Sequence, residues 1–353
     1  MGSTLVLVIN PGSTSTRLAL YDQVTPLKTS KVDHNARELE QFASIADQFE
    51  FRLQAVEQFL SENGGPQLRA VVGRGGLLKP IPAGVYHVNE SMIRDLKASV
   101  QGQHAANLGG RLAAGVATPR DIPAFIVDPV SVDDFIPLAR ISGLPQIERR
   151  SLGHTLNIRA VGRRVAQSMG KELEEVNFLV AHLGGGISIA PLKRGRAIDY
   201  NDANAGGPFS PERSGALPVA DLVKFAFSSG LSEGELIRLL NGKSGLVGYL
   251  GSNDARELIA LAEAGDEQTA LVLDAMAYQI GKEIGAMATV LCGEVEAIIL
   301  TGGLANARYV TDRIVEYVKF IAPIIIYPGE DEMLALAEGA WRVLSGLEAA
   351  KEY

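Results

Sequence analysis

The chain has 353 residues, 46% of them hydrophobic and 21% charged, with a net charge of -8 and a pI near 5.3. That is enough apolar chain for two cores of ordinary size. The acidic balance, with no run of Lys or Arg, excludes a nucleic-acid-binding stripe and argues against an anionic membrane partner.

A single cysteine, Cys292, excludes an intramolecular disulfide and a cysteine-based zinc site, so nothing demands an oxidising compartment and the cytoplasm is the expected location. Met1-Gly2-Ser3-Thr4 runs straight into a strand, without the regions of a signal peptide. Val6 stands where an N-myristoylation motif has Ser or Thr. Apolar stretches such as "FIAPIIIY" are far shorter than the roughly 20 residues that span a bilayer.

Strand-like β-branched runs alternate with helical patterns, which predicts α/β architecture. Residues 5–9, "LVLVI", and 17–21, "RLALY", read as a hairpin. The loop between them holds one proline, one glycine and four Ser or Thr, where simple closure takes about two residues. Residues 36–62 carry apolar residues at helical spacing and stop at Asn63-Gly64-Gly65-Pro66. "RAVVGRGG" is a strand entering a glycine loop, and "AFIVDPV" a buried strand ending at Asp128.

After the Gly, Pro and charge-rich "RISGLPQIERR" the pattern restarts with a helix near 151–169, so the domains are expected at 1–150 and 151–330. "NFLVAHLGGGISIAPLKRGRAID" repeats the opening pattern of apolar run, Gly-rich turn and alternating run, about one domain later. That repeat suggests a duplicated domain. The polar, glycine-rich 201–215 is too long for a simple turn. Helices fill 217–292, "EAIILTGGLANARYV" reads as strand, turn and helix start, and a last helix covers roughly 332–346.

Three glycine-rich turns lie at strand ends. In the first, Gly12, Ser13, Thr14 and Ser15 offer amides and hydroxyls in a form that suits phosphate oxygens, or simply close a hairpin. Asn10 can orient a ligand or a metal-bound water, and Arg17 adds a permanent cation. In the second, Gly184, Gly185 and Gly186 follow His182 and let the backbone approach a ligand. In the third, Gly302 and Gly303 join a strand to a helix, where nucleotides commonly lie.

Arg74 and Arg213 both sit in glycine-flanked loops, a setting for a carboxylate or phosphate clamp. Asp128 is either a site residue or the start of an Asp-Pro turn. His182 and His154 are either ligand contacts or hydrogen-bonded structural residues; His34, His87 and His104 read as structural. Glu332 is either a helix-dipole carboxylate or a magnesium ligand acting through water. The GKS of "NGKSG" is no P-loop, because Ile237 occupies the position of the first glycine.

Taken in order, "VINPGSTSTR", "GRGGLLKPIPAGVY", "VDPVSVDDF", "VAHLGGGISIA", "GPFSPERSGALP", "DAMAYQIGKEIGAM" and "ILTGGLA" resemble the butyrate kinase branch of the acetate kinase family over nearly the whole chain. The resemblance implies two similar actin-like α/β domains, of mixed sheets flanked by helices, around an ATP cleft, with the C-terminal helix of 331–353 packing back on the first. It implies ATP and Mg2+ as cofactors, a short-chain carboxylate as substrate, and a homo-oligomer, dimer or larger, without nucleic acid or membrane.

By that resemblance the first two glycine loops bind phosphates and the Gly302-Gly303 turn holds adenosine. Arg74 and Arg213 then bind the acid and the migrating phosphoryl group, and His182 donates to its oxygens. Asn10 and Glu332 orient magnesium, and Asp128 polarises or positions the site. The acetate kinase pattern usually has Lys where Arg17 stands and "HRVVHGG" where this chain has "RAVVGRGG". Other expectations within the same superfamily are an acetate, propionate or isobutyrate kinase, a sugar kinase, or a chaperone-like ATPase.

Overall fold

A computed structural model describes residues 4–353; Met1, Gly2 and Ser3, on which the reading of the start of the chain falls, lie outside the described residues. The described chain divides into two compact units, one reaching to Asp133 and including Asp331–Tyr353, the other Asp134–Glu330. The division falls at 133/134 and not near 150. Phe135 and Ala139 already pack with Ile158, Val161 and Phe178 in the second unit's core. The Gly/Pro-rich run that suggested a linker is surface of the second unit, closed by a bridge between Ile141 and Glu148.

The first unit contains β1 (Leu5–Pro11), β2 (Ser15–Asp22), β3 (Thr25–Asp33), β4 (Ala70–Arg74), β5 (Val85–His87) and β6 (Ala124–Val127). They form one sheet in the order β3-β2-β1-β4-β6-β5. β1, β2 and β3 are an antiparallel meander, and β4 and β6 extend it in parallel from β1. Because the central strands are covered on both faces, they read as unbroken apolar runs. Leu7, Ile9 and Val71 pack on one side against Leu108, Leu112 and Val116 of helix Asn107–Ala117. Helix Glu332–Leu344, the C-terminal return, packs against β1, β4 and β6 of the same unit.

Two glycines set how closely a helix can approach this sheet. A Cβ on Gly73 would lie 2.1 Å from the carbonyl oxygen of Gly109, and one on Gly109 would lie 2.2 Å from that of Arg74. Only paired glycines permit that backbone contact.

The second unit repeats the plan with β7 (Asn177–Leu183), β8 (Ile187–Lys193), β9 (Arg196–Ala197), β10 (Ala297–Gly302) and β11 (Ile324–Pro328), ordered β11-β10-β7-β8-β9. Again a three-stranded antiparallel meander is extended in parallel from its first strand. Along β7 the side chains alternate between two cores: Leu179, Ala181 and Leu183 on one face, Phe178 and Val180 on the other. The long helix Glu267–Val290 covers the first of these faces through Leu273, Met276, Ile280 and Ile284.

One predicted helix is broken. Residues 36–62 form a short helix Ala36–Leu39, a 3-10 turn Ile45–Gln48 and a helix Phe49–Glu62. The Asn35 side chain caps the first piece. Ser44 bonds Asp47 within the break, and Arg111 holds the Ala46 carbonyl from helix Asn107–Ala117. The consequence is that Gln48 and Arg52 turn inward beneath the first glycine loop.

Candidate active site

In the first unit, four residues singled out from sequence meet in one network. Asn10, at the end of β1, donates its amide to Glu332 Oε2 at 2.8 Å. Glu332 opens the C-terminal helix, and its other oxygen lies 3.4 Å from Arg74 Nε at the end of β4. Arg74 is buried and donates onward to the Asp128 carbonyl at 3.4 Å. Asp128 in turn is held by its side chain, which accepts the Gly84 N–H at 2.8 Å.

Asp128 adopts φ 36°, a left-handed backbone rare outside glycine. Its carboxylate is engaged with backbone, so its service to Arg74 runs through its main-chain carbonyl. Arg17 is the cross-strand partner of Asn10, which sets both side chains on one face of the sheet. It lines a shallow recess with Leu18, Lys31 and Met333.

The loop between β1 and β2 is shorter than its run of hydroxyls suggested: Ser15 and Thr16 belong to β2, leaving Gly12, Ser13 and Thr14 as the turn. Beneath it lies Arg52, a residue that motif reading passed over. It is fully buried, bonded to Gln48, and donates to the carbonyls of Gly12, Ser13 and Ser15 at 2.9, 3.0 and 3.1 Å. Burial pulls its pKa down to about 10, which leaves it charged at neutral pH.

Thr16 Oγ1 accepts from Arg52 at 3.1 Å and lies 2.8 Å from His34 Nε2. Burial, and secondarily the Arg52 charge, hold the His34 pKa below 6.5.

In the second unit His182, buried near the end of β7, is fixed on two sides and faces a carboxylate on a third. Its Nδ1 lies 2.8 Å from Asn157 Oδ1, and the His154 ring stacks on it at 3.9 Å and 11°. His154 is itself 3.0 Å from Ser188 Oγ. Nε2 faces Glu330 Oε1 at 3.1 Å without hydrogen-bond alignment.

The loop Gly184-Gly185-Gly186 joins β7 to β8. Ser210 donates its hydroxyl to the Gly185 carbonyl at 2.5 Å, and Asn201 bonds the Ile189 N–H and Ile187 carbonyl, each at 2.7 Å. The Arg213 guanidinium lies against the loop tip, where a Cβ on Gly186 would be 2.3 Å from Nη1. One of its N–H groups reaches the Ala203 carbonyl at 2.9 Å, while Nε is buried and, among the described residues, has no acceptor. Burial lowers the Arg213 pKa, opposed by Glu212 and Asp202.

Gly302, φ 91°, packs against Leu183, whose carbonyl oxygen would lie 2.4 Å from a Cβ, whereas Gly303 faces open space. The third turn therefore has one glycine demanded by packing and one beside open space.

Among the described residues no three His, Cys, Asp or Glu side chains cluster as a metal cage. Asn10 and Glu332 nevertheless fit Mg2+, a hard cation that beside phosphates takes one or two carboxylates and draws its remaining oxygens from water and substrate.

The Acetokinase family model matches residues 147–329. Over 99% of this chain and 99% of theirs, "Probable butyrate kinase 2" of Caldanaerobacter subterraneus subsp. tengcongensis and "Butyrate kinase 1" of Clostridium acetobutylicum are each 49% identical. The acetate kinase structure from Porphyromonas gingivalis superposes with a TM-score of 0.78 at 20% identity, covering 98% of this chain and 100% of that one. A propionate kinase from Francisella tularensis gives 0.75 at 20% identity, covering 95% and 98%. The chain belongs to the acetate kinase family, and its full-length identity places it with the butyrate kinases of that family. Its fold is accordingly the two-domain actin-like one.

Proposed function

We propose that this protein transfers the terminal phosphoryl group of ATP to butyrate, giving butanoyl phosphate and ADP reversibly. The observation that carries this reading is the joined set Asn10, Glu332, Arg74 and Asp128 in a chain 49% identical to butyrate kinases. A carboxylate is already a competent nucleophile, so the protein needs no strong base. Its work is positioning and stabilising charge in an in-line transfer.

Arg74 and Arg213 bind the acid and the migrating phosphoryl group through charge-assisted hydrogen bonds. With a proton on Nε2, His182 donates to that group's equatorial oxygens as their charge develops. Ser13, Thr14 and Ser15 of the first loop, with Gly184, Gly185 and Gly186 of the second, take the phosphate chain, and Gly302 and Gly303 flank adenosine. Asn10 and Glu332 hold Mg2+, which neutralises phosphate charge when bound. Asp128 keeps Arg74 in place.

The helices Val219–Ser228 and Glu233–Gly242 bury no residue within the chain, yet present Val219, Val223, Phe227 and Ile237 to solvent. These faces support a homo-oligomer; light scattering on Phe227→Asp is expected to show a smaller particle than wild type. No helix among the described residues is long and apolar enough to cross a membrane, and a cytoplasmic location is our reading.

The test of function is hydroxamate formation with ATP, Mg2+ and hydroxylamine across acetate, propionate, butyrate, isobutyrate and valerate. A peak at butyrate is expected. A peak at another acid overturns the substrate; no hydroxamate with any acid overturns the acyl kinase reading.

A further inference from the structure

Among the described residues Arg52 is a buried cation paired with no carboxylate. Its partners are the neutral oxygens of Gln48, Thr16 and three loop carbonyls, and burial alone perturbs it. Removing a guanidinium from water is costly, and retaining one without a counter-charge calls for a reason beyond packing. Its place in the chain adds to the point, since it shares the inward stripe of helix Phe49–Glu62 with Val56, Phe59 and Leu60, where an apolar residue would serve stability.

The hydrogen bonds say what it does to the loop. Every carbonyl from Gly12 to Ser15 is occupied: Gly12 and Ser13 by Arg52, Thr14 by the His34 N–H at 2.8 Å, and Ser15 by both the Gly12 N–H and Arg52. In a planar trans peptide the N–H of each residue points opposite to the carbonyl before it. With the Gly12 and Ser13 carbonyls drawn onto Arg52, the Ser13 and Thr14 amides are turned the other way, and among the described residues neither has an acceptor. Successive amides on one side of a turn form an anion-binding concavity.

We infer that Arg52 is a positioning residue for the nucleotide's phosphate chain: it aims the Ser13 and Thr14 amides at the phosphates and keeps an uncompensated positive charge behind them. This rests on the proposed kinase function and adds to it a residue that touches no substrate. The missing counter-charge is supplied by the bound polyphosphate.

The test compares wild type with Arg52→Met, which removes the charge, and Arg52→Lys, which keeps it but loses the planar fork. ATP and AMP affinities are measured by calorimetry alongside circular dichroism and hydroxamate kinetics. AMP lacks the outer phosphates, so its affinity is expected to stay within twofold of wild type in both variants. ATP affinity is expected to fall at least tenfold in Arg52→Met and by less in Arg52→Lys.

Equal weakening of ATP and AMP, with a lowered thermal midpoint, would make Arg52 merely structural and overturn the proposal. Unchanged ATP binding in folded Arg52→Met would also overturn it. Should neither variant fold, amide NMR of the wild type decides: the Ser13 and Thr14 signals are expected to shift with ATP and not with AMP, and the absence of that difference sinks the idea. Wild type that binds ATP but makes no hydroxamate would overturn the acyl kinase reading while leaving the ATP-to-AMP comparison intact.

Discussion

Gly186→Ala is expected to leave the fold intact and remove most of the activity. The added Cβ would stand 2.3 Å from Arg213 Nη1, 2.6 Å from Cζ and 3.1 Å from Nε. Since ordinary carbon contacts begin near 3.4 Å, the guanidinium must retreat by about 1 Å. It can do so cheaply, being the far end of a flexible side chain, and Gly186 needs no left-handed backbone. The thermal midpoint should therefore move little.

A misplacement of about 1 Å in a positioned charged group costs on the order of 10²-fold in rate, about 2.7 kcal/mol. Arg213→Ala, which removes a desolvated charge-assisted contact worth about 1.5–3 kcal/mol, should cost a comparable 10- to 150-fold, roughly. The assay is the hydroxamate rate at saturating ATP and butyrate for wild type, both single variants and the double variant. If the methyl acts by displacing Arg213, adding it to Arg213→Ala changes the rate by less than about threefold. A further hundredfold loss in the double variant, or near-normal turnover in folded Gly186→Ala, refutes the reasoning.

Asn157→Ala frees the His182 ring from its Nδ1 partner and is expected to lower kcat about tenfold with KM for ATP little changed; steady-state kinetics check it. Gly109→Ala drives a Cβ to 2.2 Å from the Arg74 carbonyl, a backbone atom that cannot yield, and should destabilise by about 3 kcal/mol or more in denaturant titration. For His34 the folded pKa lies below the unfolded 6.5, so the unfolded chain binds more protons on acidification. Its contribution is complete above about pH 6.5 and is lost as pH falls below that value toward the lower folded pKa. His34→Gln, which keeps a hydrogen-bonding side chain beside Thr16, should show a smaller drop in melting temperature between pH 7.5 and 5.5; an unchanged drop rules His34 out.

The sheet strands were legible because both faces of β1, β4, β7 and β10 are buried, which prints continuous apolar runs. β3 was not, since most of its residues are exposed and polar and it is held only as the outer strand of a meander. The glycine turns and the Arg74, Asp128 and Glu332 positions were legible from residue type at strand and helix ends. The residues that hold these groups, Arg52, Asn157, Ser210 and Asn201, were not, because each acts through long-range contact. Arg52 alone left a trace, a charge seated on the apolar stripe of its helix. The domain boundary was displaced because surface composition, rich in Gly and Pro, says nothing of which core a preceding Phe135 joins.

The duplicated topology also carries a duplicated solution to one problem. A glycine-rich hairpin can bind phosphate only if its amides face the ligand, and its carbonyls, left to themselves, would compete for the same side and repel it. In the first unit the carbonyls are drawn away by Arg52 and the His34 N–H, in the second that of Gly185 by the Ser210 hydroxyl and that of Gly186 by the Gly184 N–H. The two are not electrically equivalent. Behind the first loop lies a full positive charge, while behind the second the donors are neutral and the cation, Arg213, lies against the loop tip. On the proposed function, the first hairpin would hold phosphate with a fixed charge behind its amides, and the second would meet it with Arg213 at its tip.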